Sequence, residues 1–348
     1  MATQDFKGTI GNVKPLSDSD QRVSLTGAGS GSSGIMVDDS ANIKFGASGS
    51  FALIVKCALP DWTPAGSAYL LYKYWSNGII LEPLSNGKIQ LRLFGATATR
   101  TVNSGTSPGF VDGSEPEITA VVTVGATNTT IDFYFDGVPF GAQQTVVNAG
   151  SCDDTRALHI LGSSSGHRIE GKVHHVYILN FAPTPQEVLD INKYGIPLKW
   201  IDPTGASPAS QIAQTSGTLV VGKEYMIDDW ITDDDFTNVG GANVDGTRFV
   251  ATGTTPTKWT NSSSLRRIGA TLYLPSRAWQ PDRPIDCSGN ALVATYPSVG
   301  WGLTQPFSYA TLQAAANNAG AGGLTIPVPV GGLYRTNADP SVICVRTA

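Results

Sequence analysis

Residues 157–195 read ALHILGSSSGHRIEGKVHHVYILNFAPTPQEVLDINKYG, and this stretch decides the fold. Ala157–Leu161 alternates, with Leu158 and Ile160 on one face and His159 and Leu161 on the other. Gly162–Gly166 is a run of small residues that predicts a hairpin turn. Lys172–Asn180 is the returning strand, with Val173, His175, Tyr177 and Leu179 on one side and His174, Val176 and Ile178 on the other. Apolar residues on both faces predict a strand covered on both sides. The chain then leaves the β pattern. Thr184-Pro185-Gln186-Glu187 is a capping box with proline at the first helical position, and Gly195 stops the short periodic run of Val188, Leu189 and Ile191.

The same grammar extends outward on the amino-terminal side. Phe51, Leu53, Val55, Cys57 and Leu59 alternate, as do Ile89, Leu91 and Leu93 with Lys88, Gln90 and Arg92 between them. Asn77-Gly78, Asn86-Gly87 and Asp136-Gly137 separate strand-like runs and predict tight hairpins. Glu117–Val124 reads as a further strand, and Ile131, Phe133 and Phe135 alternate again. Short strands at regular spacing predict an all-β fold, an antiparallel jelly-roll sandwich.

Composition sets the bounds. At 348 residues, of which 41% are apolar, the chain is long enough for two domains and a large core. Only 15% of residues are charged and 39 are glycine, which favours strands and turns over helices. A net charge of −5 without a basic run argues against a nucleic-acid surface. No apolar run approaches the roughly 18 residues of a membrane helix. MATQDFKGTIGNVK lacks the basic and apolar regions of a secretory signal. The cysteines, Cys57, Cys152, Cys287 and Cys344, show no paired CxxC spacing and predict no zinc site.

The motifs FALIVKCAL, YLLYKYWSNGIILEPLSNGKIQLRL, ITAVVTV with TIDFYFDGVPFG, and the closing Gly-Lys-Val strand with its capped helix resemble the laminin-G/concanavalin-A-like jelly roll in that order. The resemblance spans about residues 42–195. A second run, GKEYMIDDW, DDFTNVG and GTRFVATGTTPTKWTNSSSL, resembles a small β module of tailed-bacteriophage structural proteins. Asp286-Cys287-Ser288-Gly289-Asn290 and the ending IPVPVGGLYRT resemble elements of phage virion proteins as well. The expected organisation is an N-terminal arm (1–34), the sandwich (35–195), a Pro/Ser/Ala-rich linker (196–216), the small β module (217–274) and a β-rich extension (275–348). Residues 309–318, YATLQAAANN, are expected to form a second short helix.

Several constellations that suggest chemistry read more simply as structure. Gly162-Ser163-Ser164-Ser165-Gly166 fits GxSxG, but a strand instead of a helix follows it, so a nucleophile elbow is not expected. Gly29–Gly34 fits GxGxxG without a following helix and reads as a loop. His174 and His175, adjacent on a strand, are expected on opposite faces and so unsuited to one metal. Asp228, Asp229, Asp233, Asp234 and Asp235 lack the glycine and closing glutamate of a calcium loop and are expected to form a solvated turn in which Asp234 or Asp235 caps local backbone. Glu115-Pro116-Glu117 is the nearest approach to paired glycosidase carboxylates, and its proline breaks the strand. Aromatic rings suit stacking on sugars, and Trp62, Tyr72, Tyr74 and Trp75 are the expected ligand-binding residues.

The resemblances imply a non-enzymatic virion structural or appendage protein: a capsid decoration, a head fibre or a tail-associated chain, assembled in the host cytoplasm and exposed on the particle. Its implied partners are other virion proteins, further copies of itself in a homotrimer, and host cell-surface glycans. A tail receptor-binding protein and a polysaccharide depolymerase are the alternatives. The residues call for no cofactor. The laminin-G resemblance implies calcium near the sheet rim, at Asp38, Asp39 or Asp136, which no residue pattern secures.

Overall fold

The computed structural model describes residues 22–25, 34–45, 49–74, 76–163, 169–202, 204–205, 207–275, 284–296, 301–304, 314–315, 333–336 and 343–345. The strands in chain order are β1 (Arg22–Leu25), β2 (Ile35–Val37), β3 (Phe51–Ala58), β4 (Leu71–Tyr74), β5 (Gly78–Pro83), β6 (Ile89–Phe94), β7 (Thr99–Asn103), β8 (Glu117–Val124), β9 (Asn128–Phe135), β10 (Val138–Val147), β11 (Leu158–Ile160) and β12 (Gly171–Leu179). The helix α1 (Pro185–Tyr194) follows. Then come β13 (Glu224–Asp229), β14 (Arg248–Val250), β15 (Ser264–Arg267), β16 (Ala270–Leu274), β17 (Ala294–Thr295) and β18 (Trp301–Thr304), and last β19 (Ala314–Ala315), β20 (Leu333–Thr336) and β21 (Ile343–Val345).

Among the described residues two large sheets form the predicted sandwich. One runs β10-β9-β8-β3-β12-β1-β18, with β16 also paired to β12. The other runs β17-β2-β11-β4-β5-β6-β7. Alternation along each strand sends one set of side chains inward. Leu53, Val55, Ile118, Ala120, Ile131, Phe133, Val176 and Ile178 of the first sheet meet Leu71, Ile79, Leu81, Leu91, Leu93, Leu158 and Ile160 of the second. Each such Val, Leu, Ile or Phe, fully buried, contributes about 1.5–3 kcal/mol. The hairpins form where glycine permits. Asp136 and Gly137 both take positive φ, 49° and 79°, as a type I′ turn requires.

β12 is covered on both sides, as its apolar pattern predicts. Its outward residues Tyr177 and Leu179 join Ala52, Ile54, Val121 and Tyr134 in a second core, roofed by Phe181, Val188, Ile191, Trp200 and Ile268. The roof begins with α1, whose capping box forms as read. Thr184 Oγ1 accepts the Glu187 N–H at 3.3 Å, and Glu187 Oε2 accepts the Thr184 N–H at 2.8 Å.

Two expectations for this stretch are corrected. First, β11 and β12 are not a hairpin. β11 pairs with β2 and β4, whereas β12 pairs with β1, β3 and β16, so residues 161–170 carry the chain from one sheet to the other. Of the GxSxG segment, residues 164–166 lie outside the described residues. Second, Val173 faces the inner core with Val176 and Ile178. The cause is a β-bulge: Val173 opposes Cys57 and His175 opposes Lys56, so His174 is an extra residue on β12. One inserted residue reverses the alternation on its amino-terminal side.

The 217–274 segment contributes a three-stranded sheet, β14-β13-β15, over a small core of Leu219, Tyr225, Ile227, Phe236, Val239, Phe249, Ala251 and Leu265. Its last strand, β16, belongs to the sandwich sheet instead. Asp234 and Asp235 bind backbone as expected. Asp234 Oδ1 accepts the N–H groups of Thr260 and Asn261 at 2.7 and 2.9 Å, and Asp235 Oδ1 accepts that of Thr237 at 2.9 Å. Within 196–216, Trp200, Ile201 and Ala209 are buried. Trp200 Nε1 donates to Glu224 Oε2 at 2.7 Å. Arg248 of β14 reaches α1, with Nη1 and Nη2 at 3.0 and 2.7 Å from Glu187 Oε2 and Oε1.

Residues 304–348 form a separate compact unit. In it β20 pairs with β21 antiparallel and with β19 parallel. The helix expected over 309–318 is corrected at Ala314–Ala315, which are strand; the other residues of that span are not described. Sheet hydrogen bonding overrides the alanine preference there. No helix among the described residues is long and apolar enough to cross a membrane.

Candidate functional site

The outer face of the seven-stranded sheet carries the polar and aromatic side chains that alternation excludes from the core. Strand register sets Met36, His159, Tyr72, Ile80, Arg92 and Thr101 in one row across β2, β11, β4, β5, β6 and β7. A neighbouring row is Tyr74, Gly78 and Phe94. Gly78 has no side chain to separate its neighbours, and the Tyr74 and Phe94 rings meet across it at 4.0 Å between centroids. Gly78 is also required by its backbone: φ is 129°, and a Cβ would lie 1.8 Å from the Lys73 carbonyl oxygen. Tyr72 lies edge-on to Tyr74 at 6.2 Å and close to Tyr69 at 5.0 Å.

A charged group borders these rings. Arg92 Nε lies 2.8 Å from Glu82 Oε1, and its guanidinium carbon sits 5.5 Å from the Phe94 centroid. Gln90 Nε2 donates to the same Glu82 oxygen at 2.8 Å. Glu82 is buried, with 6% of its side chain exposed, while Arg92 exposes 28%. His159, beside Tyr72, is neutral near pH 7. Burial pushes its imidazole down to about 4, and the ammonium of Lys73 adds to the shift.

The four residues expected from the sequence part company here. Tyr72 and Tyr74 stand on this face; Tyr72 is buried (7% exposed) and Tyr74 half-buried. Trp62 is a core residue, 2% exposed, edge-on to Phe110 at 5.0 Å, and offers no ring face to a ligand. Its position follows from loop closure. Asp112 Oδ1 accepts the Trp62 backbone N–H at 2.9 Å, and Gly113 N–H reaches the Leu59 carbonyl at 2.7 Å. Trp75 lies outside the described residues. Gln90, Arg92 and Phe94 are additions, and their signal was present: they fill the positions of IQLRLF that the inward Ile89, Leu91 and Leu93 leave over.

Several titratable groups elsewhere among the described residues are committed to structure. Two ammonium groups occupy Asp39: Lys73 Nζ at 2.6 Å and Lys44 Nζ at 2.9 Å. Burial works to raise the Asp39 pKa, and the two lysines outweigh it and lower it. Asp136 Oδ1 accepts the Glu117 N–H at 2.8 Å. His174 and His175, expected on opposite faces, are in contact through Nδ1 atoms 2.9 Å apart, because the bulge turns both to one side. His175 Nε2 in turn lies 2.9 Å from Glu117 Oε2. Glu117 is 1% exposed and reaches no solvent. Among the described residues no three His, Cys, Asp or Glu side chains converge to hold a metal ion.

No family model and no curated protein matches the chain. Solved structures resemble it at low identity and with TM-scores under 0.5. A candidate carbohydrate-binding protein from Bacteroides ovatus is 12% identical over 82% of this chain and 61% of its own, with a TM-score of 0.43. The native heptameric SAP-like pentraxin from Limulus polyphemus is 13% identical over 50% of this chain and 82% of its own (TM-score 0.37). Domains LG4-5 of the mouse laminin alpha1 chain are 13% identical over 46% of this chain and 40% of theirs (TM-score 0.33). These similarities concern the sandwich fold alone, and fold does not carry function.

Proposed function

We propose that the sandwich is a non-enzymatic glycan-binding module that uses the outer face of its seven-stranded sheet. The observation that carries this reading is the half-buried Tyr74–Phe94 pair bordered by Arg92, Gln90 and Glu82. Ring faces stack against the C–H faces of sugars, and amide, guanidinium and carboxylate groups satisfy hydroxyls. The buried, histidine-bound Glu117 supports a non-enzymatic role, since the carboxylate nearest to a glycosidase pattern is out of reach of a polymer. Purified protein on a glycan array tests the reading. Phe94→Ala should weaken the best hit at least ~10-fold with melting unchanged, a loss of ~1.4 kcal/mol. Undiminished binding by a folded Phe94→Ala protein would remove this face from the mechanism.

The sequence similarity of 217–274 to a phage module favours a location for this activity. On that reading the chain is a virion component, a capsid decoration, head fibre or tail appendage, partnered by other virion proteins and by copies of itself. A tail receptor-binding role is the same chemistry at another address, and depolymerase activity requires release of reducing ends. Electron microscopy of particles with a labelled chain decides the location, and particles without the label sink it.

A further inference from the structure

We infer that the ligand of this face is an acidic glycan, whose carboxylate is taken by the outward edge of Arg92. The inference rests on the glycan-binding reading and names its substrate class.

Three observations carry it. First, the charge on this part of the face is layered. Glu82 is buried beneath, and Arg92 is the more exposed partner, so a ligand arriving at β6 and β7 meets the cation first. Second, Arg92 is held by its inner edge. Nε lies 2.8 Å from Glu82 Oε1 as an ion pair, the guanidinium carbon sits 5.5 Å from the Phe94 centroid, and Gln90 Nε2 donates to the same Glu82 oxygen. The terminal nitrogens then present a fork whose spacing matches a carboxylate. Arg92 pays little entropy on binding, because Glu82 and Phe94 already restrict it. Third, the competing charge in this row is absent at neutral pH. His159 is uncharged, and the Lys73 ammonium is fully buried and bound to Asp39. Arg92 is thus the cation of the row, next to the Tyr74 and Phe94 rings that would receive the sugar ring bearing the acid. A neutral glycan would meet the fork with hydroxyls alone and gain no ion pair.

Two matched ligand pairs test this and separate two sources of the carboxylate. One is tetragalacturonate against its carboxyl-reduced tetrasaccharide, for uronic acids. The other is sialyllactose against lactose, for a terminal sialic acid. Binding is measured by calorimetry at low and at physiological salt. The expected result is at least ~10-fold tighter binding of the acidic member of one pair, weakening with salt. Arg92→Gln should abolish that preference, so that the acidic member binds no more tightly than the neutral member of the same pair. Arg92→Lys should restore only part of it, since charge returns without the fork. Equal affinity within both pairs overturns the inference while glycan binding stands. So does a preference that survives in Arg92→Gln. Failure of every ligand, on the array as well, overturns the glycan-binding reading itself.

Discussion

Arg248→Met should uncouple the small β module from the sandwich. Arg248 makes a two-pronged pair with Glu187, a 2.9 Å contact with Glu224 and a face contact with Phe181, its guanidinium carbon 4.5 Å from the ring centroid. Methionine keeps the stem packing and deletes the charge. Breaking a buried pair costs about 3–5 kcal/mol because a carboxylate is left unpaired. Arg248 and Glu187 are each 23% exposed, so water recovers part of this, and about 2–3 kcal/mol remains. Glu224 keeps Trp200 and Lys199 and adds little. At about 2–4 °C per kcal/mol the melting temperature should fall by roughly 5–10 °C. The pH dependence gives a second signature. Burial works to raise the Glu187 pKa, but Arg248 and the Thr184 cap outweigh it, so the folded value is lowered. Its stabilisation is therefore present above the ordinary carboxylate range and is lost as pH falls through the lowered value. Arg248→Met should flatten that acid limb. Calorimetric melts from neutral to acid pH decide the matter. A shift under about 1 °C with an unchanged acid limb would refute the claim that this pair locks the two parts together.

Four further outcomes follow from the structure. Val176→Asp should unfold the sandwich, since a carboxyl group in the inner core loses apolar burial and costs several kcal/mol more; a native melt would show that the inner face has been misassigned. His159 should titrate near 4 by NMR, and because its folded value lies below the ordinary 6.5, stability should decline as pH falls from 6.5 towards 4; replacement by Gln should remove that component, and titration near 6.5 contradicts its burial. Cys57 and Cys152 should resist thiol reagents until the protein unfolds, since burial raises both thiols, Cys152 to about 12; immediate labelling of either contradicts this. Gly78→Ala should cost several kcal/mol in denaturant melts, because its Cβ would overlap the Lys73 carbonyl at a positive φ; a wild-type melt would refute the required turn geometry.

Local chemistry was legible in the residues. The Asn86-Gly87 and Asp136-Gly137 turns, the capping box at Thr184, and the alternation of β3, of β6 and of β12 beyond its bulge are short-range rules, and each appears in place. Half of the candidate site was legible too. Tyr72 and Tyr74 were named, and IQLRLF already separated Arg92 and Phe94 from the inward leucines. Trp62 was misplaced because an indole's burial depends on which loops close over it. Here the contact of Asp112 with residue 62 comes from 50 positions away.

Residues 157–195 show where the division lies. Their strands and the helix that ends them follow from φ preferences, caps and periodicity, which act within a few residues. Which sheet each strand joins does not, because pairing partners lie far along the chain. So β11 and β12 read as one hairpin and fold into opposite sheets. The bulge at His174 is likewise a property of the β12–β3 pairing, and it alone brings the two histidines together and turns Val173 inward. The face that carries Tyr74, Phe94 and Arg92 is of the same kind. Tyr74 lies on β4 and the other two on β6, and only sheet register across β5 makes them neighbours.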